Sequence, residues 1–220
     1  MNNFRAVVFD IDGTLSPEIS WTSLTRDLGA SVDDHIQIYK AYREGNSTYE
    51  QSKAELLDLW RRSGNANKDF FEKLFNDWLL PEASINAVKQ VQEDVSVCLI
   101  TGSMDLYAQT VSRKLGIADY FANTILKWDD TGALVGMDYE LDQAAKKLEQ
   151  FFGFCLRHNF KPKDVAVVGD SDNDIELFKA SGNGVAIGTD IPHDLSAVAW
   201  RTISKIEDLP AVLDLNSYRH

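Results

Sequence analysis

The chain is poor in cysteine and in basic residues, and each shortage argues against a class of protein. Its two cysteines, Cys98 in an apolar run and Cys155 in a helical pattern, favour buried thiols over a disulfide framework. Lys and Arg number 22 against 34 Asp and Glu, and this formal net charge of −12 argues against a broad nucleic-acid interface. A cation at one site could still override that global field locally.

Long apolar runs are missing as well. No stretch approaches the length of a membrane span, and Asp10 and Asp12 interrupt the N-terminal apolar run too early for a signal peptide. We therefore expect a cytoplasmic protein with no membrane partner, either a monomer or a homodimer. The composition, 44% hydrophobic and 25% charged, is typical of a globular fold, and 220 residues suffice for one core with a smaller insertion.

Short apolar runs alternate with helical patterns along most of the chain. The runs that end at Asp, Gly or Thr predict buried strands at 4–9, 95–100, 165–168 and 185–187. The helical patterns cover 83–92, 106–115, 143–158 and 174–180. Because such alternation implies right-handed crossovers, the sequence predicts an α/β fold with a doubly wound, Rossmann-like parallel sheet.

The segment 17–80 interrupts this alternation. It holds no strand-like run, and its apolar residues recur at helical spacing. We interpret it as a helical cap domain inserted after the first strand, where a lid could close over the end of the sheet. The predicted division is a core of residues 1–16 and 81–220 with a cap of residues 17–80. Farther along, 130–132 reads Asp-Thr-Gly, a turn or hairpin signal.

Carboxylates cluster where two of the predicted strands end. Asp10 and Asp12 follow the first strand, and Asp170 and Asp174 follow the third. The carboxyl ends of parallel strands form the crevice in which such sheets bind ligands. There Asp10 could attack phosphorus, and Asp12 could give and take a proton. Asp10, Asp170 and the main-chain carbonyl of Asp12 could form part of a Mg²⁺ site.

Both clusters also have simpler explanations. The pentapeptide that begins at Asp10 would suit a solvated turn, with the Thr14 hydroxyl holding the loop. The four acids within 170–176 could instead form the acidic first turn of a helix, which the helix dipole favours. That explanation fits the later acids of the loop better than it fits Asp170 at the strand end.

A phosphate group would need hydrogen-bond donors and a cation at so acidic a site. Thr101, Gly102 and Ser103 follow the second predicted strand, and their hydroxyl and N–H groups could hold phosphate oxygens. Such a tripeptide is, however, commonly a helix N-cap. Lys146 and Lys147 lie near a predicted helix start, where cations oppose the helix dipole. A phosphoryl group would explain them, and solvated surface lysines are the alternative.

In this order along the chain, the set resembles the four motifs of the haloacid dehalogenase-like superfamily of phosphohydrolases. The resemblance implies that Asp10 is the nucleophile and Asp12 the general acid and base. It also implies that phosphate is bound by Thr101, Gly102, Ser103, Asn173 and a lysine, that Asp10, Asp12 and Asp170 hold Mg²⁺, and that Asp174 and Thr14 support them. The lysine is predicted to be Lys147, with Lys146 as the alternative. An acid at position 12 resembles phosphatases and mutases rather than dehalogenases.

Within that superfamily, the chain most resembles the phosphoserine phosphatase group, on its helical insertion and on the segments 44–52 and 121–123. Phosphoserine-specific members carry an arginine where this chain has Leu56, and an acid where it has Ile19. Leucine cannot replace a guanidinium that pairs with a carboxylate. The resemblance therefore implies a Mg²⁺-dependent phosphatase that acts through an aspartyl-phosphate on a small phosphorylated substrate other than phosphoserine.

Two other functions remain compatible with the sequence. In a phosphotransferase or mutase, an acceptor hydroxyl would replace water as the second nucleophile. In a non-catalytic protein, the same scaffold would bind a phosphorylated ligand without turnover. Release of phosphate in the presence of magnesium distinguishes the last of these from the enzymes.

Overall fold

The apolar runs form the strands of a single sheet within residues 4–214, the part of the chain that the computed structural model describes. The strands are β1 (Ala6–Phe9), β2 (Ser96–Met104), β3 (Asp119–Trp128), β4 (Leu134–Tyr139), β5 (Val165–Gly169), β6 (Gly184–Ile187) and β7 (Arg201–Ile203). Their order across the sheet is β4-β3-β2-β1-β5-β6-β7, and only the β3–β4 pair is antiparallel. The predicted α/β fold with a doubly wound, mostly parallel sheet is confirmed.

Three of these strands are missing from the sequence-based assignment, for a physical reason. The predicted strands correspond to β1, β2, β5 and β6, the inner strands that are covered on both faces. In contrast, β4 and β7 are the edge strands, and β3 mixes exposed and buried positions, so none of the three shows a continuous apolar run. The turn signal at 130–132 lies between β3 and β4, which form an antiparallel hairpin.

Ten α-helices accompany the sheet in the described part of the chain. They are α1 (Ser20–Asp27), α2 (Val32–Arg43), α3 (Tyr49–Arg62), α4 (Lys68–Asp77), α5 (Glu82–Gln92), α6 (Asp105–Leu115), α7 (Gln143–Arg157), α8 (Ile175–Ser181), α9 (His193–Val198) and α10 (Leu209–Leu213). The four predicted helices correspond to α5, α6, α7 and α8, with ends within one residue of those expected. Helices α1 to α4 fall within the segment 17–80, which contains no strand, as predicted.

Side-chain caps and an aromatic cluster explain why 17–80 is helical. Thr48 and Gln51 form a capping box at the start of α3. Trp60, Phe71 and Phe75 are fully buried and pack edge to face in series. They belong to the same apolar cluster as one face of the sheet. The helices of this segment therefore share one continuous apolar core with the rest of the fold, while its exact boundaries as a cap domain stay a prediction.

The opposite face of the sheet is covered by α7 and α8. Phe151 and Phe154 of α7 and Phe178 of α8 pack there against β1, β2 and β5. Cys98 and Cys155 belong to this cluster and are free, buried thiols, as their positions predicted. Within residues 4–214, no helix has both the length and the hydrophobicity that crossing a membrane requires.

Candidate active site

The predicted site residues meet at the carboxyl edge of the three central strands. Phe9 of β1 is paired with Leu99 of β2 on one side and with Val168 of β5 on the other. The residues that follow these pairs in sequence are therefore neighbours across the sheet. Asp10 directly follows β1, and Asp170 directly follows β5. The strand order of the sheet reverses between β1 and β5, and open α/β sheets bind ligands at such a reversal.

Lys147 lies at the centre of this edge. Its Nζ is 2.8 Å from Asp10 Oδ2, 2.7 Å from Asp174 Oδ1 and 2.6 Å from Asn173 Oδ1. All three N–H donors of the ammonium group are thus used, and the side chain is 0% exposed. Lys146, the other candidate, pairs with Glu149 on the surface. The structure therefore places Lys147 among the carboxylates, and Lys146 outside them.

The charge of Lys147 is secured by its partners. Burial alone would lower the pKa of this ammonium group, but the carboxylates of Asp10 and Asp174 outweigh that effect and raise its pKa above the usual range. The group is therefore a permanent cation at physiological pH. It offsets part of the negative charge that the acids bring together and that an incoming phosphate would add.

Gly13 allows the loop after β1 to approach Asp170 closely. Its backbone has φ +78°, and a Cβ at this position would lie 2.2 Å from Asp170 Oδ2. The hydroxyl of Thr14 donates to Asp170 Oδ1 at 2.9 Å. Burial, and then the charge of Asp10, raise the pKa of the Asp170 carboxyl group to about 7. A side chain at position 13 would push the two acidic loops apart.

The carboxylates at this edge fit a divalent cation. Oxygen atoms of Asp10, Asp170 and Asp174 lie within 4.8 Å of one another, so that one ion could contact all three. Oxygen ligands of this kind suit Mg²⁺. The carboxylate of Asp12 is not part of this group, and the contribution of its main-chain carbonyl stays a prediction. Asp174, predicted only to support the site, belongs to the group but is also held by Lys147.

Asp12 has an environment of its own. Its Oδ2 accepts a hydrogen bond from the Ser20 hydroxyl at 2.6 Å, and its Oδ1 is buried without a partner among the described residues. Burial raises the pKa of Asp12 to about 7, the Ser20 hydrogen bond opposes this, and the charge of Asp10 adds to it. A carboxyl group with this pKa exchanges a proton readily near neutral pH. Ser20, the first residue of α1, was not predicted to be a site residue. A serine eight residues after Asp12 forms no recognisable sequence motif with it.

Thr101, Gly102 and Ser103 line the cavity at this edge as part of β2. The Ser103 N–H donates to Thr101 Oγ1 at 3.2 Å, and the Ser103 hydroxyl contacts that of Ser20. Helix α6 begins after Met104 and has no side-chain cap. The interpretation of the tripeptide as a helix N-cap is therefore wrong, because β2 continues through it.

Gln143 is a further residue of the site that was not predicted. It is the first residue of α7, and the amide of Asn123 donates to its Oε1 at 2.7 Å. A Cβ on Gly102 would lie 2.9 Å from the same oxygen. In the sequence, Asn123 was noted only as part of the segment 121–123, which resembles a family's core sequence. In the structure, its side-chain amide donates to Gln143.

A cavity of about 480 Å³ opens over this edge. The predicted residues that line it are Asp10, Asp12, Thr101, Gly102, Ser103, Asp170 and Asn173. Thr14, Lys147 and Asp174 are buried behind them, hydrogen-bonded to lining carboxylates or to the lysine. The structure thus brings all the sequence-predicted site residues to one place. Leu56 and Ile19 line the same cavity on the cap side.

Comparisons with known proteins point to one family. The family model of the haloacid dehalogenase-like hydrolases matches residues 4–182. A phosphoserine phosphatase of Methanocaldococcus jannaschii is 25% identical over 185 residues, which cover 83% of this chain and 84% of that protein. A phosphoserine phosphatase of Archaeoglobus fulgidus is 23% identical over 217 residues, which cover 96% of this chain but only 60% of that longer protein.

Solved structures share the fold over nearly the whole chain. One, described as a phospho-aspartyl intermediate analogue of phosphoserine phosphatase, is 25% identical with a TM-score of 0.73, covering 96% of this chain and 98% of the other. A hydrolase of the same family from Salmonella enterica is 16% identical with a TM-score of 0.79, covering 97% of this chain and 71% of the other. At that identity the second likeness concerns the fold alone.

Proposed function

The chain belongs to the haloacid dehalogenase-like hydrolases, and from that membership we propose that it is a Mg²⁺-dependent phosphatase acting through an aspartyl-phosphate on Asp10. The observation that carries the proposal is the position of Asp10. Its carboxylate lines the cavity, with Oδ1 held by the Ile11 N–H at 2.7 Å and Oδ2 by Lys147. A carboxylate oriented in this way is a suitable nucleophile toward phosphorus.

The reaction would proceed in two displacements. In the first, a carboxylate oxygen of Asp10 bonds to phosphorus while the bond from phosphorus to the ester oxygen breaks, and Asp12 gives its proton to the departing alcohol. In the second, Asp12 takes a proton from water as the water oxygen bonds to phosphorus. The bond to Asp10 then breaks, which restores its carboxylate and releases inorganic phosphate. The pKa of Asp12, about 7, supports both of its roles.

The other residues of the site would hold and neutralise the phosphoryl group. Thr101 and Ser103 would provide donors to its oxygens, and Lys147 would offset its charge from behind Asp10. Asp10 and Asp170, with the main-chain carbonyl of Asp12, would hold Mg²⁺, which when bound supplies positive charge against the phosphate oxygens. The solved phospho-aspartyl analogue of a similar phosphoserine phosphatase supports the covalent route.

Phosphoserine itself is not the substrate we propose. The amino acid part of phosphoserine carries a carboxylate and an ammonium group, and each needs a partner of opposite charge. On the cap side of the cavity, Leu56 and Ile19 line the wall, and the resemblance to the phosphoserine phosphatases places those partners at these two positions. Glu18, the nearest acid in sequence, already binds Ser23 and Arg26. We therefore propose a small phosphorylated metabolite of different chemistry.

A direct test separates turnover from binding. The purified protein is incubated with para-nitrophenyl phosphate, with Mg²⁺ or with excess EDTA, and phosphate release is measured. The proposal expects phosphate release only with Mg²⁺. Protein recovered after a rapid acid quench should be heavier by the mass of one phosphoryl group. Release that is unaffected by EDTA, or no release at all, would contradict it.

A further inference from the structure

The cavity extends well beyond the space that a phosphate group needs. Its far side, which we call the cap wall, is formed mainly by apolar and aromatic side chains: Ile19, Trp21, Tyr42, Tyr49, Leu56 and Tyr139. The total volume of about 480 Å³ lies within the range of pockets that enclose drug-sized ligands, roughly 300–1,000 Å³. The cavity therefore has room for the organic part of a substrate against the cap wall.

The aromatic rings of the cap wall form one continuous group. Tyr49 of α3 and Tyr139 of β4 are stacked with ring centroids 5.7 Å apart. Trp21 of α1 meets Tyr139 edge to face at 5.8 Å, and Tyr42 of α2 meets Tyr49 at 6.3 Å. The Tyr49 hydroxyl donates to the main-chain carbonyl of Tyr139 at 3.3 Å, a long hydrogen bond. Four elements thus contribute to a single aromatic surface.

Charged groups on this side of the cavity are few and already paired. Among the described residues that line it away from the sheet edge, Lys53 is the one with a permanent charge. Its Nζ is 2.7 Å from Glu50 Oε2 and lies 4.9 Å from the centre of the Tyr49 ring. His35 also lines the cavity, where its Nδ1 contacts Thr25 Oγ1 at 2.6 Å. Burial lowers the pKa of His35 to about 4, so it is neutral at physiological pH.

Some of this apolar lining is open to solvent. Ile19 is 46% exposed and Tyr39 is 53% exposed, although both line the cavity. Apolar side chains that are exposed and gathered around a cavity are typical of a ligand-binding surface. A substrate that covered them would remove this apolar area from water and gain affinity from doing so.

We propose that the substrate is a phosphomonoester whose organic group is aromatic and carries no charge of its own. The proposal rests on the phosphatase function proposed above and specifies the substrate class of the same site. An aromatic ring finds ring partners on the cap wall and buries apolar area there. An ammonium or carboxylate group in the same place would lose its water without gaining an unpaired ion of opposite charge, because Lys53 is already paired with Glu50. We expect that loss to lower kcat/KM roughly 10- to 100-fold.

A panel of four esters of primary alcohols tests the proposal, because they react through the same kind of bond. They are phenethyl phosphate, propyl phosphate, phosphoethanolamine and phosphoserine, each assayed with Mg²⁺ on the unmodified protein. We expect kcat/KM to be highest for phenethyl phosphate and at least about 10-fold lower for the two charged esters. A charged ester or propyl phosphate that matches phenethyl phosphate overturns the proposal.

The panel also distinguishes this failure from that of the proposed function. If para-nitrophenyl phosphate is hydrolysed with Mg²⁺ but phosphoserine is preferred within the panel, the substrate class is wrong and the phosphatase stands. If none of the five esters is hydrolysed, both proposals fail.

A pair of Tyr49 variants locates the effect on the cap wall. Tyr49→Ala removes a ring, and we expect it to raise the KM for phenethyl phosphate about 3- to 10-fold with little change for propyl phosphate. Tyr49→Phe keeps the ring and loses only the hydroxyl, so its KM should stay within about twofold of the unmodified protein. An equal rise for both esters in Tyr49→Ala would mean that the ring supports the structure and not the aromatic group of the substrate.

Discussion

The two sides of the cavity differ in how many charged groups they carry. At the sheet edge, a fully buried lysine is surrounded by carboxylates and an amide at 2.6 to 2.8 Å. The cap wall consists mainly of aromatic rings in stacked and edge-to-face contact. Among the described residues that line it, Lys53 is the one permanent cation, and it is paired with Glu50. In the function that we propose, the sheet edge carries out the reaction at phosphorus and the cap wall selects the rest of the substrate.

The difference also concerns how each side is built. Apart from Lys147, which comes from α7, the sheet edge draws on residues that end or follow adjacent strands, so the sheet itself sets most of their distances. The cap wall draws on the consecutive helices α1, α2 and α3 and on β4, which lies much farther along the chain, and side-chain packing joins them. Substitutions on the cap wall can therefore change the substrate without disturbing the sheet edge. The three predictions below test this contrast.

The largest effect is expected from Asp10→Asn. An amide is no nucleophile toward phosphorus, so kcat for para-nitrophenyl phosphate should fall by roughly 1,000-fold or more. Lys147 keeps Asp174 and Asn173 as partners, so the melting temperature should change little. The assay is steady-state phosphate release, with thermal unfolding as the control. Activity within about tenfold of the unmodified protein would exclude Asp10 as the nucleophile.

Lys147→Met should affect activity and stability together. It leaves buried carboxylates without their cation, which costs about 3–5 kcal/mol in the free energy of unfolding, and it should reduce kcat roughly 100- to 1,000-fold. The matched control is Lys146→Met at the neighbouring surface position, where the change in stability should stay within about 0.5 kcal/mol. Both are measured by urea unfolding and phosphate release, and similar losses in the two variants would refute the central position of Lys147.

His35, on the cap side, should give a smaller effect that depends on pH. Its pKa is lowered by burial from 6.5 to about 4 in the folded chain, so the unfolded chain binds more protons between these values. Stability from this group is therefore present above the unfolded pKa and is lost as the pH falls toward the folded value. Between about pH 7 and pH 5, the unmodified protein should lose about 2 kcal/mol more than His35→Gln.

Urea unfolding at the two pH values provides this comparison. The carboxyl groups of the sheet edge titrate in both proteins, so the difference between the two isolates the histidine. A parallel decline of the two proteins would show that His35 is not held neutral by its surroundings.

Some elements of this molecule were predictable because they depend on local patterns. The inner strands β1, β2, β5 and β6 are continuous apolar runs, and the helices α5 to α8 show clear periodicity. The strands β3, β4 and β7 were not recognised, because partial exposure breaks their pattern. Ser20 and Gln143 were also missed, since a single polar residue at the start of a helix is no signal until folding places it beside an acid or a strand end.

The composition of the sheet edge was readable from the chain alone: parallel strands end at one edge, so the acids, hydroxyls and glycines that follow them in the chain meet there. Of the two adjacent lysines, the sequence favoured Lys147 and kept Lys146 as the alternative, and the packing of α7 directs Lys147 into the site, because adjacent residues of a helix point in different directions. Lys147 is directed toward Asp10, whereas Lys146 is directed toward Glu149 at the surface of α7. The tertiary structure also decided the character of the cap wall, since its rings come from four separate elements whose contacts depend on packing across the whole fold.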